Sequence, residues 1–281
     1  MLIDTHAHLW FDDFRDDLEL VLLRAKEAGV EKMIVPGTDI NSSKKAIELA
    51  KKYPGVIYAA VGVHPEKLLS ANYNEETPFA CRRALLDLQS GIPFRESPLG
   101  LQELLGDEVV AIGEIGMDAS TEELRNCMEE QKSLFRQQCE MALEFDLPVI
   151  IHTRNSLNET LEILDGLSQM PRGQFHCFSH DEAGIKEVIS RGFCVSFGGN
   201  ITWSKRVAKL VALVPSDKLL LETDSPLMVP RDKKGVPVEE NERNEPVNVR
   251  VLAEKIAELR GESFEVIAEM TTRNANVLFK L

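Results

Sequence analysis

The sequence predicts a soluble α/β protein folded as one closed (β/α)8 barrel, the TIM-barrel architecture. Three observations point there. Eight short apolar runs recur along the 281 residues. Most are continuously apolar, as parallel strands buried on both faces require. Amphipathic helical stretches separate most of them, and that alternation favours a closed barrel over an open sheet. One such barrel commonly takes about 250 residues. The chain is therefore read as a single domain, 1–281, with an extended loop after strand 3.

The predicted strands, in order, are Leu2–Thr5, Lys32–Pro36, Val56–Val63, Val109–Gly113, Pro148–Ile151, Gly173–Phe178, Phe193–Phe197 and Lys218–Leu221. Predicted helices are Asp16–Ala28, with Leu18, Val21, Leu22 and Ala25 on one face, then Ser42–Lys52 behind Asn41 as N-cap. Glu122–Phe145 reads as one long helix with Leu134, Cys139 and Leu143 inward. Leu157–Leu167, Asp181–Arg191 and Ser204–Val214 follow, then tail helices at Val249–Arg260 and Phe264–Met270, expected to cover the outside of the barrel. Gly29, Gly55 and Gly192 mark helix exits. Two segments exceed ordinary loop length. His64–Glu108 carries a helical run at Pro78–Gln89 and a turn-rich piece at Gly91–Gly100. Leu227–Asn244 is rich in charge, Pro and Gly. Long segments of this kind tend to be lids or binding loops.

Hydrophobic residues at 43% and charged residues at 28% suit a soluble enzyme. The net charge of −14 excludes a broad basic face that coats nucleic acid. It leaves open a substrate held locally, where bound cations supply positive charge. Five cysteines without C-x-x-C spacing argue against a disulfide framework and fit a reducing, cytoplasmic setting. No apolar run approaches the roughly 20 residues of a membrane span, and no obligate protein partner is indicated. The N-terminus should be retained, because a cleaved leader would remove His6.

Barrels of this kind carry their chemistry at the C-terminal strand ends. Of six histidines, His6, His8, His64, His152 and His176 fall at or just beyond such ends, and His180 follows four residues later. Glu114 and Asp118 follow the fourth strand, Arg154 the fifth, Glu222 and Asp224 the eighth. Imidazole nitrogen and carboxylate oxygen suit Zn, Mg or Mn ions. In His6-Ala7-His8 on an extended segment both rings project to one face. Asp224, across the barrel closure, could join that ion, while His152 and His176 could share a second with Glu114 as the bridge. The metal ligands are thus taken as His6, His8, Glu114, His152, His176 and Asp224, with two divalent ions as cofactors.

DTHAHL, GEIGMD, LPVIIHTR, FHCFS and LLLETDSP, in this order and spacing from Leu2 to Leu278, resemble the TatD family of metal-dependent deoxyribonucleases, of the amidohydrolase-like superfamily. The resemblance implies a barrel in which His6, His8, Glu114 and Asp224 hold one ion and Glu114, His152 and His176 the other. It implies hydrolysis of DNA phosphodiesters, often from 3′ to 5′, with DNA ends or short single strands as substrate. Arg243-Asn244-Glu245-Pro246 also resembles the family's segment after the eighth strand. The chain departs from the family at Ala119-Ser120-Thr121, where aromatic residues are frequent, at His180, where Gly is frequent, and in the length of His64–Glu108. These departures bear on the substrate and leave the metal ligands intact.

Asp224 and Glu114 are the expected catalytic residues. A metal-activated water would attack phosphorus, and Asp224 would take its proton. His64 and Arg154 are the expected substrate contacts, Arg being suited to bidentate phosphate binding. Asp4 is read as orienting the His pair or bonding a strand edge, and Glu222 and Asp118 as supporting or surface groups. Cys177 is read as packing and His180 as a helix-start residue. One alternative keeps the site but changes the bond, to an ester or amide hydrolase such as a D-aminoacyl-tRNA deacylase. Another is an inactive barrel serving as a binding module, which six competent ligand types oppose.

Overall fold

The computed structural model describes residues 1–69, 101–232, 234–238 and 243–281. The predicted Pro78–Gln89 helix and Gly91–Gly100 turns lie outside the described residues, as does part of Leu227–Asn244. Eight parallel strands pair in sequence order: β1 (Leu2–Asp4), β2 (Val30–Pro36), β3 (Ile57–Val61), β4 (Val109–Asp118), β5 (Val149–Arg154), β6 (Gly173–Phe175), β7 (Cys194–Phe197) and β8 (Leu219–Leu221). The ring closes where the Thr5 backbone N–H donates to Leu221 O at 2.9 Å and Ala7 bridges Ser225. The predicted barrel is thus the observed one.

Around it run α1 (Leu18–Glu27), α2 (Ile40–Lys52), α3 (Glu122–Asn126), α4 (Met128–Glu144), α5 (Leu157–Asp165), α6 (Glu182–Ser190), α7 (Lys205–Val211), α8 (Val249–Arg260) and α9 (Phe264–Phe279). Several boundaries differ from the sequence reading for identifiable reasons. Helix α2 starts before Asn41, because Asp39 accepts from the Ser42 N–H at 2.7 Å while Ser42 Oγ accepts from the Asp39 N–H at 2.9 Å. That reciprocal capping box satisfies two orphan donors and outcompetes a lone Asn. The predicted Glu122–Phe145 helix breaks at Cys127, where Gln131 Nε2 takes up the freed Leu124 carbonyl at 2.7 Å.

Strand β4 runs five residues past its predicted end at Gly113, since Gly116, Met117 and Asp118 stay paired with His152, Thr153 and Arg154 of a lengthened β5. Glu114 and Asp118 therefore sit within a strand, and not on the loop after it. The tail helix predicted to stop at Met270 continues to Phe279. It does more than cover the outside: Ala275, Leu278 and Phe279 pack with Ile3, Ile34, Ala60, Ala111, Ile150, Cys194 and Leu220. These strand residues form the barrel interior. Asn274 Nδ2 donates to Ser216 O and Leu219 O, and Thr272 Oγ1 to Met1 O, so the plug lies at the N-terminal strand ends. The opposite end is left open for chemistry. A larger core fills the layer between strands and helices, with Phe14, Phe135, Phe175 and Phe193 fully buried. Among the described residues no helix is long and apolar enough to cross a membrane.

Candidate metal centre

The open end is a cavity of about 740 Å³ lined by His8, His64, Glu114, His152, His176 and Asp224. His6 sits beneath it, fully buried. Its ring stacks on that of His176, with centroids 4.0 Å apart. All six predicted ligands thus meet, although they come from β1, β4, β5, β6 and β8 or the residues just beyond.

Their donor atoms fall into two groups divided by one carboxylate. His6 Nε2 and His8 Nε2 lie 3.1 Å apart. They stand 3.5 and 3.4 Å from Glu114 Oε2, and 3.6 and 3.5 Å from Asp224 Oδ1. A tetrahedron with bonds of about 2.0–2.2 Å to its centre has edges of about 3.3–3.6 Å, so these atoms fit a Zn-like ion. On the other side, Glu114 Oε1 is 3.1 Å from His152 Nδ1 and 2.8 Å from His176 Nε2, which are 3.4 Å from each other. A second divalent ion could sit among these three.

Outer contacts fix which ring nitrogen faces inward. The Pro36 carbonyl, 3.2 Å from His8 Nδ1, accepts its proton and leaves Nε2 a lone pair toward the group. Asp118 Oδ2 lies 3.1 Å from His152 Nε2 and likewise leaves Nδ1 free to ligate. The His6 and His176 Nδ1 atoms are buried without a hydrogen-bond partner among the described residues. Burial alone would raise the Glu114 pKa, but His176, His64 and His152 hold it well below the usual carboxylate range. Burial would lower His8 and His152, yet with no cation present the carboxylates push them up to about 10 and about 9. Protons and divalent ions therefore compete for the same nitrogens. Asp224 sits at φ +56 and Cys177 at φ +43. Such left-handed conformations cost non-glycine residues of order 1 kcal/mol or more and cluster at functional sites. At Asp224 the turn is held by its N–H donating to His6 O at 2.8 Å.

A family model described as TatD related DNase matches residues 3–280. The chain belongs to the TatD family. It is 36% identical over 286 residues to the uncharacterized metal-dependent hydrolase YabD of Bacillus subtilis, with all of both chains covered. It is 32% identical over 286 residues to the 3′-5′ ssDNA/RNA exonuclease TatD of Erwinia amylovora, again across 100% of each. The crystal structure of YJJV, a TatD homolog from Escherichia coli, superposes with a TM-score of 0.80 at 30% identity, covering 100% of this chain and 98% of that one. Membership makes this chain a hydrolytic enzyme, the class the motifs implied.

In this TatD-family chain the two predicted substrate contacts sit differently. Arg154 is exposed on the cavity rim and makes no ion pair among the described residues. His64 is buried, with Nε2 3.4 Å from Glu114 Oε1, beside the predicted ligands. Its Nδ1 accepts the Glu66 N–H at 3.2 Å, so the neutral ring carries its proton on Nε2. Burial pushes its pKa down to about 3, which keeps it neutral. A neutral N–H aimed inward donates hydrogen bonds and offers a cation no lone pair.

Sequence reasoning left the supporting groups undecided or missed them. Asp118 contacts His152. Gln131 in turn holds Asp118, accepting its N–H at 2.7 Å and donating to its carbonyl at 2.9 Å. Glu222 accepts from Ser196 Oγ at 2.6 Å and from the Cys177 N–H, with an oxygen 3.8 Å from His176 Nδ1. Asp4 ties the first strand to the last, accepting from the N–H groups of His6 and Thr223 and from Thr223 Oγ1 at 2.6 Å. Asn244 Nδ2 donates to Thr223 O, and Glu245 pairs with Arg24 at 2.8 Å, so the segment after β8 clamps the Asp224 turn against α1. His180 serves structure: its ring contacts the Thr153 carbonyl at 3.1 Å.

Proposed function

We propose that the chain is a divalent-metal-dependent phosphodiesterase that shortens single-stranded DNA or RNA from its 3′ end, with two ions at the centre described above. His6, His8, Asp224 and Glu114 Oε2 would hold one ion; Glu114 Oε1, His152 and His176 would hold the other. The division of the two Glu114 oxygens between two donor groups carries this reading, because a bridging carboxylate is the mark of two-metal hydrolytic sites. The name 3′-5′ ssDNA/RNA exonuclease given to relatives that match over their full length supports the substrate class and widens it from DNA to RNA. Nothing observed favours the acyl-ester alternative.

When bound, the ions supply Lewis acidity toward a phosphoryl oxygen and bring the pKa of water near neutrality. The residues do the rest. Without metal, burial would raise Asp224, but the hydrogen bond from His8 and the charges of His6 and His176 keep it low; a bound cation would take over that role, so the carboxylate would stay ionised and able to take a proton from the attacking water. His64 Nε2–H donates to a phosphoryl oxygen. Arg154, at the rim, is suited to fork onto a neighbouring phosphate. His64 thus donates where negative charge grows, while Arg154 holds the strand beside it.

The test is purified protein stripped of metal and reloaded with Mg²⁺, Mn²⁺ or Zn²⁺, acting on 5′-labelled single-stranded DNA and RNA. A ladder shortening from the 3′ end is expected, and loss of that ladder in Asp224→Asn. No cleavage above the Asp224→Asn background with any of the metals would refute the nuclease reading. Retained cleavage in the His6→Ala, His8→Ala double variant would instead refute the ligand assignment.

A further inference from the structure

The chain has only two tryptophans, Trp10 and Trp203, and both line the same cavity as the donor groups. Trp10 follows β1. Its Nε1–H donates to Pro36 O at 2.7 Å, the same carbonyl that orients His8. Its ring stacks on Phe11 with centroids 4.5 Å apart and stands at 81° to the His8 ring, 5.7 Å away. Trp203 follows β7 and is 39% exposed. The Arg231 guanidinium lies over its ring, 5.4 Å from the centroid. Since β8 lies between β7 and the β1 end of the closed ring, the two indoles flank the turn after β8, whose Leu227 and Met228 also line the cavity. The rim cations of this acidic chain among the described residues, Lys67, Arg154 and Arg206, come from the segment after β3, from β5 and from the start of α7.

Burying an indole removes far more apolar surface from water than leaving it on a rim. Two rim indoles, each held by a hydrogen bond or a stacked guanidinium, are preorganised flat faces beside a phosphodiester-cleaving centre. Every nucleobase has a π-face, so such surfaces bind single strands without regard to sequence. In a duplex those faces are already stacked on neighbouring bases. We propose that Trp10 and Trp203 are stacking platforms for unpaired bases, Trp10 for the nucleotide at the reacting phosphate and Trp203 for one farther out. They select single-stranded nucleic acid over duplex and over baseless esters. This inference rests on the phosphodiesterase reading above.

The experiment compares metal-loaded wild type, Trp203→Ala and Trp10→Leu on oligothymidylate, on the same phosphate backbone with abasic spacers, and on bis(p-nitrophenyl) phosphate, which has no base. The ratio of kcat/KM for oligothymidylate to that for the baseless diester should fall by roughly 5- to 150-fold in each variant, the range that one base–aromatic stack supports. The loss should appear mainly in KM, and Trp203→Phe should restore most of it. The ratio of kcat/KM for the abasic backbone to that for the baseless diester should be the same in the variants as in wild type, whatever each variant does to the centre itself. An unchanged ratio in both variants, or an equal loss on base-bearing and abasic substrates, would overturn the proposal. Should wild type hydrolyse none of these, the phosphodiesterase reading fails separately. Tryptophan emission then still decides the platforms: quenching by oligothymidylate and not by the abasic backbone supports them, and identical or absent responses overturn them.

Discussion

Asp118→Asn should weaken one of two metal equivalents and spare the other. Asp118 is fully buried and divides its oxygens. Oδ2 faces His152 Nε2 at 3.1 Å, and Oδ1 accepts the Ser120 N–H at 2.7 Å. An asparagine has one acceptor oxygen in place of two. If its amide nitrogen faces Ser120, two donors meet and that hydrogen bond is lost. If the amide nitrogen faces His152, the ring must accept at Nε2, which moves its proton to Nδ1. Nδ1 is the nitrogen aimed at Glu114 Oε1, 3.1 Å away, and protonated it cannot ligate. Either way one buried partner is left unsatisfied, at a cost of about 1–3 kcal/mol. At about 1.4 kcal/mol per factor of ten this is roughly 5- to 150-fold in affinity. That agrees with the roughly 10- to 100-fold typical of groups that orient a metal-bound histidine. Calorimetric titration of the stripped protein should show two classes of site in wild type. In the variant, the class that includes His152 should weaken by this factor while the His6–His8–Asp224 class holds within about threefold. Equal affinities in wild type and variant would refute the tautomer argument. Equal weakening of both classes would mean that Asp118 supports the fold and not the ligand.

Metal affinity should rise with pH. Without a cation the carboxylates raise His8 to about 10 and His152 to about 9, so their stabilising protonation is complete below about 6.5 and lost as pH climbs through those values. The metal-loaded form needs the neutral rings and gains in the same window, so the metal-induced rise in melting temperature should widen from pH 6.5 toward 10; a constant increment would contradict this. Gly116→Ala should destabilise by more than about 3 kcal/mol, because at φ +140 an added Cβ would stand 2.0 Å from the His152 carbonyl oxygen in the next strand. A melt within about 1 °C of wild type would contradict that contact. Asp39→Ala should cost about 1 kcal/mol through the lost cap, or about 2–4 °C in the melt, whereas Asn41→Ala should be nearly silent; the reverse order would restore Asn41 as the cap.

The barrel was legible because burial on both faces forces parallel strands into continuous apolar runs, and the candidate centre because five histidines coincide with strand ends. What stayed hidden depends on neighbours that only closure supplies. Asp118 and Glu222 read as ordinary carboxylates until the ring places them beside His152 and His176, and the proton on His64 is set by a backbone N–H two residues on. The tryptophans carried no motif, and their common rim follows from β7 and β1 both flanking β8. The extended β4 was the one local signal available. Glu114, Gly116 and Asp118 alternate, so they share one face of a strand. Gly116 is the register partner of His152, and without a Cβ it lets β5 approach as no other residue would. The two carboxylates on either side of that glycine then bracket the ring, Glu114 at Nδ1 and Asp118 at Nε2. One faces the proposed metal centre and the other fixes the tautomer. The segment GEIGMD thus encodes a proposed ligand, its neighbour's docking groove and its neighbour's proton in alternate residues of a single strand.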